Sequence, residues 1–194
     1  MGTLISLNIE LDAIRSFLKN VTITADSEYS KIKAMSDSGE FSHYDEEANA
    51  LFIPEMWEKI AIRATLGELN GLVEWELQCL ASVLPPGKRE KPRKNRLGFV
   101  FDLKIDQIIE RIENHYGIRI EEMTGYEDVK IMRDKVNSFK HRKGFKHPYR
   151  DKYETLGEKF TLTREEAFRA IDSVKSFLRD IWLRTKQKKS KKKI

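Results

Sequence analysis

A single cysteine, Cys79, occurs in the chain. One thiol excludes an internal disulfide framework and any zinc site built on several cysteines, and it fits a reducing, cytoplasmic setting. Long apolar runs are missing as well. None approaches the ~18 residues of a membrane-spanning helix, so no membrane partner is expected. The opening residues interrupt their apolar positions with Glu10, Asp12, Arg15 and Lys19, which is not the pattern of a secretory signal. Helix breakers are scarce: neither glycine nor proline occurs between Thr3 and Asp37. Histidine is sparse and scattered, at His43, His115, His141 and His147. The last two are six apart with Gly144 between them, a poor spacing for one helical face, so neither a metal nor another cofactor is expected.

What is abundant is charge. Of the 194 residues 35% are charged and 40% apolar, with the apolar positions spread along the whole chain, as in a folded protein. The net charge of +5 hides an asymmetry. Three blocks, 88–96, 130–152 and 184–193, together carry +19, which leaves −14 on the rest. A basic surface on an acidic body suits a phosphate-rich partner. The last block reads equally well as a solubility tail.

Apolar spacing of three and four marks helices throughout. Leu4, Leu7, Leu11, Ile14 and Leu18 open a helix that runs on toward Met35, although the β-branched "VTIT" at 21–24 weakens it. "SDSGEFSHYDEEANA" reads as an acidic loop. Pro54 is placed in the first turn of a helix of about thirty residues that stops before Pro85 and Pro86. Gly67 and Gly71 share one face of it, each at a cost of ~1 kcal/mol of helix propensity that the close approach of another helix would offset. A third helix carries Ile105, Ile108, Ile109, Ile112 and Tyr116 and ends at Gly117 as a left-handed cap. A fourth covers roughly Tyr126 to Lys143, before Gly144. The fifth opens on "TREE", with Thr163 and Glu166 as a capping box, and buries Phe168, Ile171, Val174, Leu178 and Ile181. "EKFTLT" adds a short extended piece. The pattern predicts an all-α bundle of about five helices with one long central helix, a single domain over residues 1–183, and a disordered lysine-rich tail over 184–194.

The fourth helix, within "IMRDKVNSFKHRKGFKHP", holds the candidate chemistry. At 100° per residue Val129, Met132, Val136 and Phe139 face the core. Arg133, Asn137 and His141 form a second stripe at its border. Arginine grips phosphate with a planar fork and stabilises charge that builds during transfer. Histidine moves protons near neutral pH, and asparagine orients either group. Lys140, Arg142, Lys143 and Lys146 would attract a nucleic-acid backbone. Tyr116, Tyr126 and Phe145 are candidates for base stacking, with core packing the competing role. The stripe also has a purely structural reading. Arg133 would then pair with Glu68, Glu74 or Glu76 of the long helix, and His141 would cap the negative end of its own helix.

"MRDKVNSFKHRKG" resembles the signature helix of HEPN-like proteins. The long helix "RATLGELNGLVEWELQCL", the segment "LGFVFDLKIDQIIERIENHYG" and the final helix "EEAFRAIDSVKSFLRDIW" are similar to their counterparts in that family. Many members are metal-independent endoribonucleases of toxin and antiviral defence systems. Their motif is an arginine next to a polar residue, followed after four to six residues by histidine, and two copies meet in a homodimer as one composite site. Here Arg133, Asp134 and His141 match it, with seven residues between arginine and histidine instead. The resemblance implies RNA as substrate, with His141 as general acid or base. Arg133 would stabilise the transition state, and Asn137 would position the phosphate or the ribose hydroxyl. It also leaves room for a cognate antitoxin or another operon partner. The alternative is a non-catalytic RNA- or protein-binding module, or partner subunit, of the same fold. An Arg133 buried in a salt bridge within one subunit would favour that alternative.

Overall fold

A computed structural model describes residues 4–85, 100, 102–142, 144 and 160–191. Five α-helices make up most of it: α1 (Leu4–Asp37), α2 (Tyr44–Ser82), α3 (Ile105–Tyr116), α4 (Tyr126–Arg142) and α5 (Arg164–Lys191). A 3₁₀ turn, Ile120–Glu122, links α3 to α4. No strand occurs among the described residues, so the chain is all-α as its periodicity implies. No helix among them is long and apolar enough to cross a membrane.

The α1 helix survives its β-branched stretch because the threonines are accommodated. Thr22 is buried and donates its hydroxyl to the Lys19 carbonyl, and Thr24 donates to that of Asn20. The acidic loop expected over 36–50 is mostly helix. After a turn through Gly39, at φ 72°, α2 starts at Tyr44 with Asp45, Glu46 and Glu47 in its first turn, where carboxylates complement the helix dipole. Glu46 also accepts the Ser42 amide at 3.0 Å. Pro54 therefore lies inside α2, buried, and not in its first turn. It forfeits one backbone hydrogen bond, which the neighbouring turns of a 39-residue helix tolerate.

One core runs from Leu7 to Ile181 and draws on every helix. α2 supplies much of it through Leu66, Leu69, Val73 and Leu77, and α5 adds Ile171, Val174, Phe177 and Leu178. The caps fall where the sequence placed them. Gly117 adopts φ 57° and donates to the Glu113 carbonyl, and the Thr163–Glu166 box closes reciprocally at 3.2 Å in both directions. Phe168 is only partly buried, because Ala167 and Ala170 take the positions closest to the core. Gly67 and Gly71 do not mark a close approach among the described residues, where a Cβ built on either would meet nothing within 4 Å. Gly125 is the glycine that does: at φ 81°, its Cβ would lie 2.7 Å from the Ser173 carbonyl of α5.

Charged pins hold the helix ends together. Arg164 bridges Asp26 of α1 at 2.8 Å and Glu58 of α2 at 2.9 Å. Lys135, buried in α4, donates to Glu166 at 2.7 Å and to the Thr161 carbonyl at 2.9 Å. Asp180 accepts from the Thr124 amide and from Arg184. Burial pushes the Glu166 and Asp180 carboxyls up. The hydrogen bonds from Lys135 and Thr163 to the first, and from Arg184 and Thr124 to the second, outweigh it and hold both below their ordinary values. The tail expected to be disordered from residue 184 is instead a continuation of α5 as far as Lys191. Thr185 is buried and Lys186 lies over the Trp182 ring.

These pins set two expectations. A carboxyl whose folded pKa is lowered stabilises the fold above its unfolded value, near ~4, and gives that up as pH falls through the folded value. Thermal melts are thus expected to show stability falling below about pH 4. Lys135→Met, by stranding Glu166, is expected to cost about 1–3 kcal/mol in urea unfolding at pH 7 and to flatten the acid limb. Truncation before Lys188 is expected to change stability by no more than about 0.5 kcal/mol. Truncation before Arg184 is expected to cost visibly more, because it removes Thr185 and the Arg184–Asp180 pair.

Candidate nucleic-acid interface on the fourth helix

The sequence places α4 firmly. Gly125 lets its first turn sit against α5, Glu127 and Asp128 lie at its positive end, and Asp128 accepts the Ser173 hydroxyl at 2.7 Å. Val129, Met132 and Val136 are buried as the helical wheel requires, while Phe139 is half-buried. The wheel missed Lys135 and Ser138, which are buried among them. Gly144, at φ 90°, ends the helix, and its amide donates to the Ser138 carbonyl at 3.1 Å.

The outer face carries the stripe. Arg133 is largely buried, its side chain 17% exposed, with its guanidinium 3.4 Å from Glu74 of α2. Glu74 Oε1 also accepts from the side-chain amide of the wholly buried Asn70 at 3.2 Å. Of the three acidic partners considered for Arg133, Glu74 is therefore the one that meets it. Asn137 is half-buried and His141 exposed, and neither makes a side-chain hydrogen bond or ion pair among the described residues. No bond joins any two members of the stripe. His141 lies eight positions after Arg133, about 12 Å along the axis, so one chain presents them on one face without bringing them to one point.

Lys140 is exposed and unpaired among the described residues, and so is Lys130, which the wheel puts on the same face. Arg142 ends α4; its side chain, Lys143, Phe145 and Lys146 lie outside the described residues. The two tyrosines offered for base stacking are packed instead. Tyr116 is 3% exposed, and the Tyr126 ring lies 6.3 Å from that of Phe177. Beside the stripe, Arg63, Leu66 and Gly67 of α2 and Val136, Phe139 and Lys140 of α4 line a cleft of about 280 Å³. Arg63 was missed in the sequence. Its place four residues before Gly67 was the one signal available. Neither protein-family models, curated proteins nor solved structures yield a match to this chain.

What the α4 face offers is thus cationic and polar, with its arginine already committed. Glu74→Gln would leave Arg133 without its counter-charge. Unfolding free energy is expected to fall by about 0.5–1 kcal/mol. Affinity for a polyanion such as heparin is expected to rise, with the logarithmic salt dependence steeper by about one ion. An unchanged slope would show that Arg133 stays withdrawn from the surface.

Proposed function

We propose that this chain is an RNA-binding helical module that holds its ligand without cutting it. One observation carries the reading: the guanidinium best suited to a reacting phosphate is paired with Glu74 of its own subunit and mostly buried. A group so neutralised positions α4 on α2 and has little charge to offer a transition state. The exposed Lys130 and Lys140, together with the basic blocks of the sequence, suit a phosphate backbone. The resemblance of the signature helix to HEPN-like proteins supports RNA over other polyanions.

A second reading has its own support. Asn137 and His141 stand on one face with no partner among the described residues, as groups that wait for a substrate do. In that reading the chain is a metal-independent endoribonuclease of the HEPN type. The ribose 2′-OH attacks the adjacent phosphate, and His141 moves the proton.

Incubation of tRNA and total RNA with the purified protein in excess EDTA separates the two. The module reading expects RNA retained on the protein and intact, with affinity falling steeply as salt rises. It also expects Lys130→Ala with Lys140→Ala to weaken binding, and His141→Ala to leave it within a few-fold. Cleavage in EDTA that yields 2′,3′-cyclic phosphate ends and disappears in His141→Ala would replace the module by the nuclease.

A further inference from the structure

The cleft between α2 and α4 is divided in its chemistry. Leu66, Gly67, Val136, Phe139 and Leu162 make an apolar bed, and the charged residues that line it among those described are Arg63 and Lys140. Both are exposed, and neither has an acidic partner among the described residues. The Arg63 guanidinium donates to the Lys59 carbonyl of its own helix at 3.2 Å, which leaves its charge uncompensated. Two cations without a carboxylate repel a metal ion or a cationic ligand. They call for an anion, and the bed calls for an apolar body attached to it. A bare phosphate would leave the bed wetted, and a bare hydrocarbon would leave the cations with nothing to hold.

Two glycines shape this space. Gly67 stands in the middle of α2, where glycine weakens a helix relative to alanine. Close packing usually offsets that loss, yet no described residue comes within 4 Å of the place its Cβ would take. Gly67 borders the cleft instead, so a side chain there would stand in the room that the glycine keeps open. Gly144 acts on the opposite wall. A Cβ on it would come within 2.8 Å of the Phe139 ring, so the missing side chain lets the end of α4 fold against that ring and hold it. The ring is half-buried and gives the cleft a fixed aromatic wall. The volume, about 280 Å³, falls at the lower edge of the ~300–1,000 Å³ of small-molecule pockets, which is room for one ring system and not for an extended one.

We infer that the cleft takes one unpaired base of an RNA strand, set against Phe139 in the room beside Gly67, with the adjoining phosphates on Arg63 and Lys140. A base has the flat apolar face that the bed requires, and its backbone carries the negative charge that the two cations require. That the ligand is RNA rests on the module reading above. What the cleft adds is a choice between strands. In an A-form duplex the bases are stacked and paired, and side chains cannot read the deep, narrow major groove, so no base can enter the cleft. A duplex meets the outer lysines alone. An unpaired strand meets them and fills the cleft as well. Every base has a face to stack, so the preference is for single strands and not for one sequence.

Fluorescence anisotropy at one salt concentration compares three probes: oligouridylate, the same ribose-phosphate backbone without bases, and an RNA duplex with the same number of phosphates. Oligouridylate is expected to bind at least tenfold more tightly than either of the others. Gly67→Leu, which fills the cleft, is expected to erase that advantage and to leave duplex affinity within twofold. Its melting temperature is expected to be no lower than the parent's, because leucine is the better helix former. Arg63→Ala is expected to make the logarithmic salt dependence of oligouridylate binding shallower by about one ion. Equal affinity for oligouridylate and the baseless strand would overturn the inference and, with a steep salt dependence for both, leave the module reading in place. An advantage that survives Gly67→Leu would overturn it too. A Gly67→Leu protein that melts earlier than the parent would show that the chain itself fills the cleft, with the same result. Failure to bind any of the three probes would sink the module reading along with it.

Discussion

The burial of α2 on three sides is the constraint on which this bundle depends. α1, α3, α4 and α5 all pack against it. Fourteen of its side chains are buried, and all but Pro54 lie from Ala61 onward. Burying a large aliphatic side chain contributes about 1.5–3 kcal/mol, so this half of α2 outweighs any other element as a source of cohesion. The N-terminal half packs mainly along α1 and leaves Phe52, Ile53 and Trp57 exposed. The same helix thus organises the core at one end and presents an unsatisfied apolar surface at the other.

Polar contacts then decide how α4 sits on that core. The buried Lys135 is held by Glu166 and the Thr161 carbonyl, which ties α4 to the first turn of α5. Gly125 and the Asp128–Ser173 hydrogen bond fix the other end. A buried cation is costly unless it is fully partnered, so these contacts act less as net stabilisation than as a lock on the rotation of α4. That rotation puts Arg133 toward Glu74 and leaves Asn137 and His141 on the outside. The arginine helps hold two helices together, and the histidine has no partner among the described residues.

Much of this was legible in the residues. The caps at Gly117, Gly144 and Thr163–Glu166 lie where local chemistry puts them, because a left-handed φ or a reciprocal side-chain bond is a property of a few adjacent residues. The burial of Val129, Met132 and Val136 in α4 followed from period alone. The start of α2 did not: Pro54 signals a helix start through its missing amide, but that deficit is small against three further turns rich in good helix formers and carboxylates at the dipole's positive end. Lys135 was unreadable as a core residue, since its burial depends on Glu166, 31 positions away.

The sequence by itself determined the helical class, the helix ends set by glycine and the capping box, and the line of Arg133, Asn137 and His141 along one face, because each is dictated by period and neighbours. Tertiary structure alone decided which of three acidic residues meets Arg133, that Tyr116 and Tyr126 serve the core, and that no described residue packs against Gly67 and Gly71. The physical reason is one of range. Backbone geometry acts over a few residues, whereas the state of a charge or an aromatic ring depends on what a distant helix sets against it.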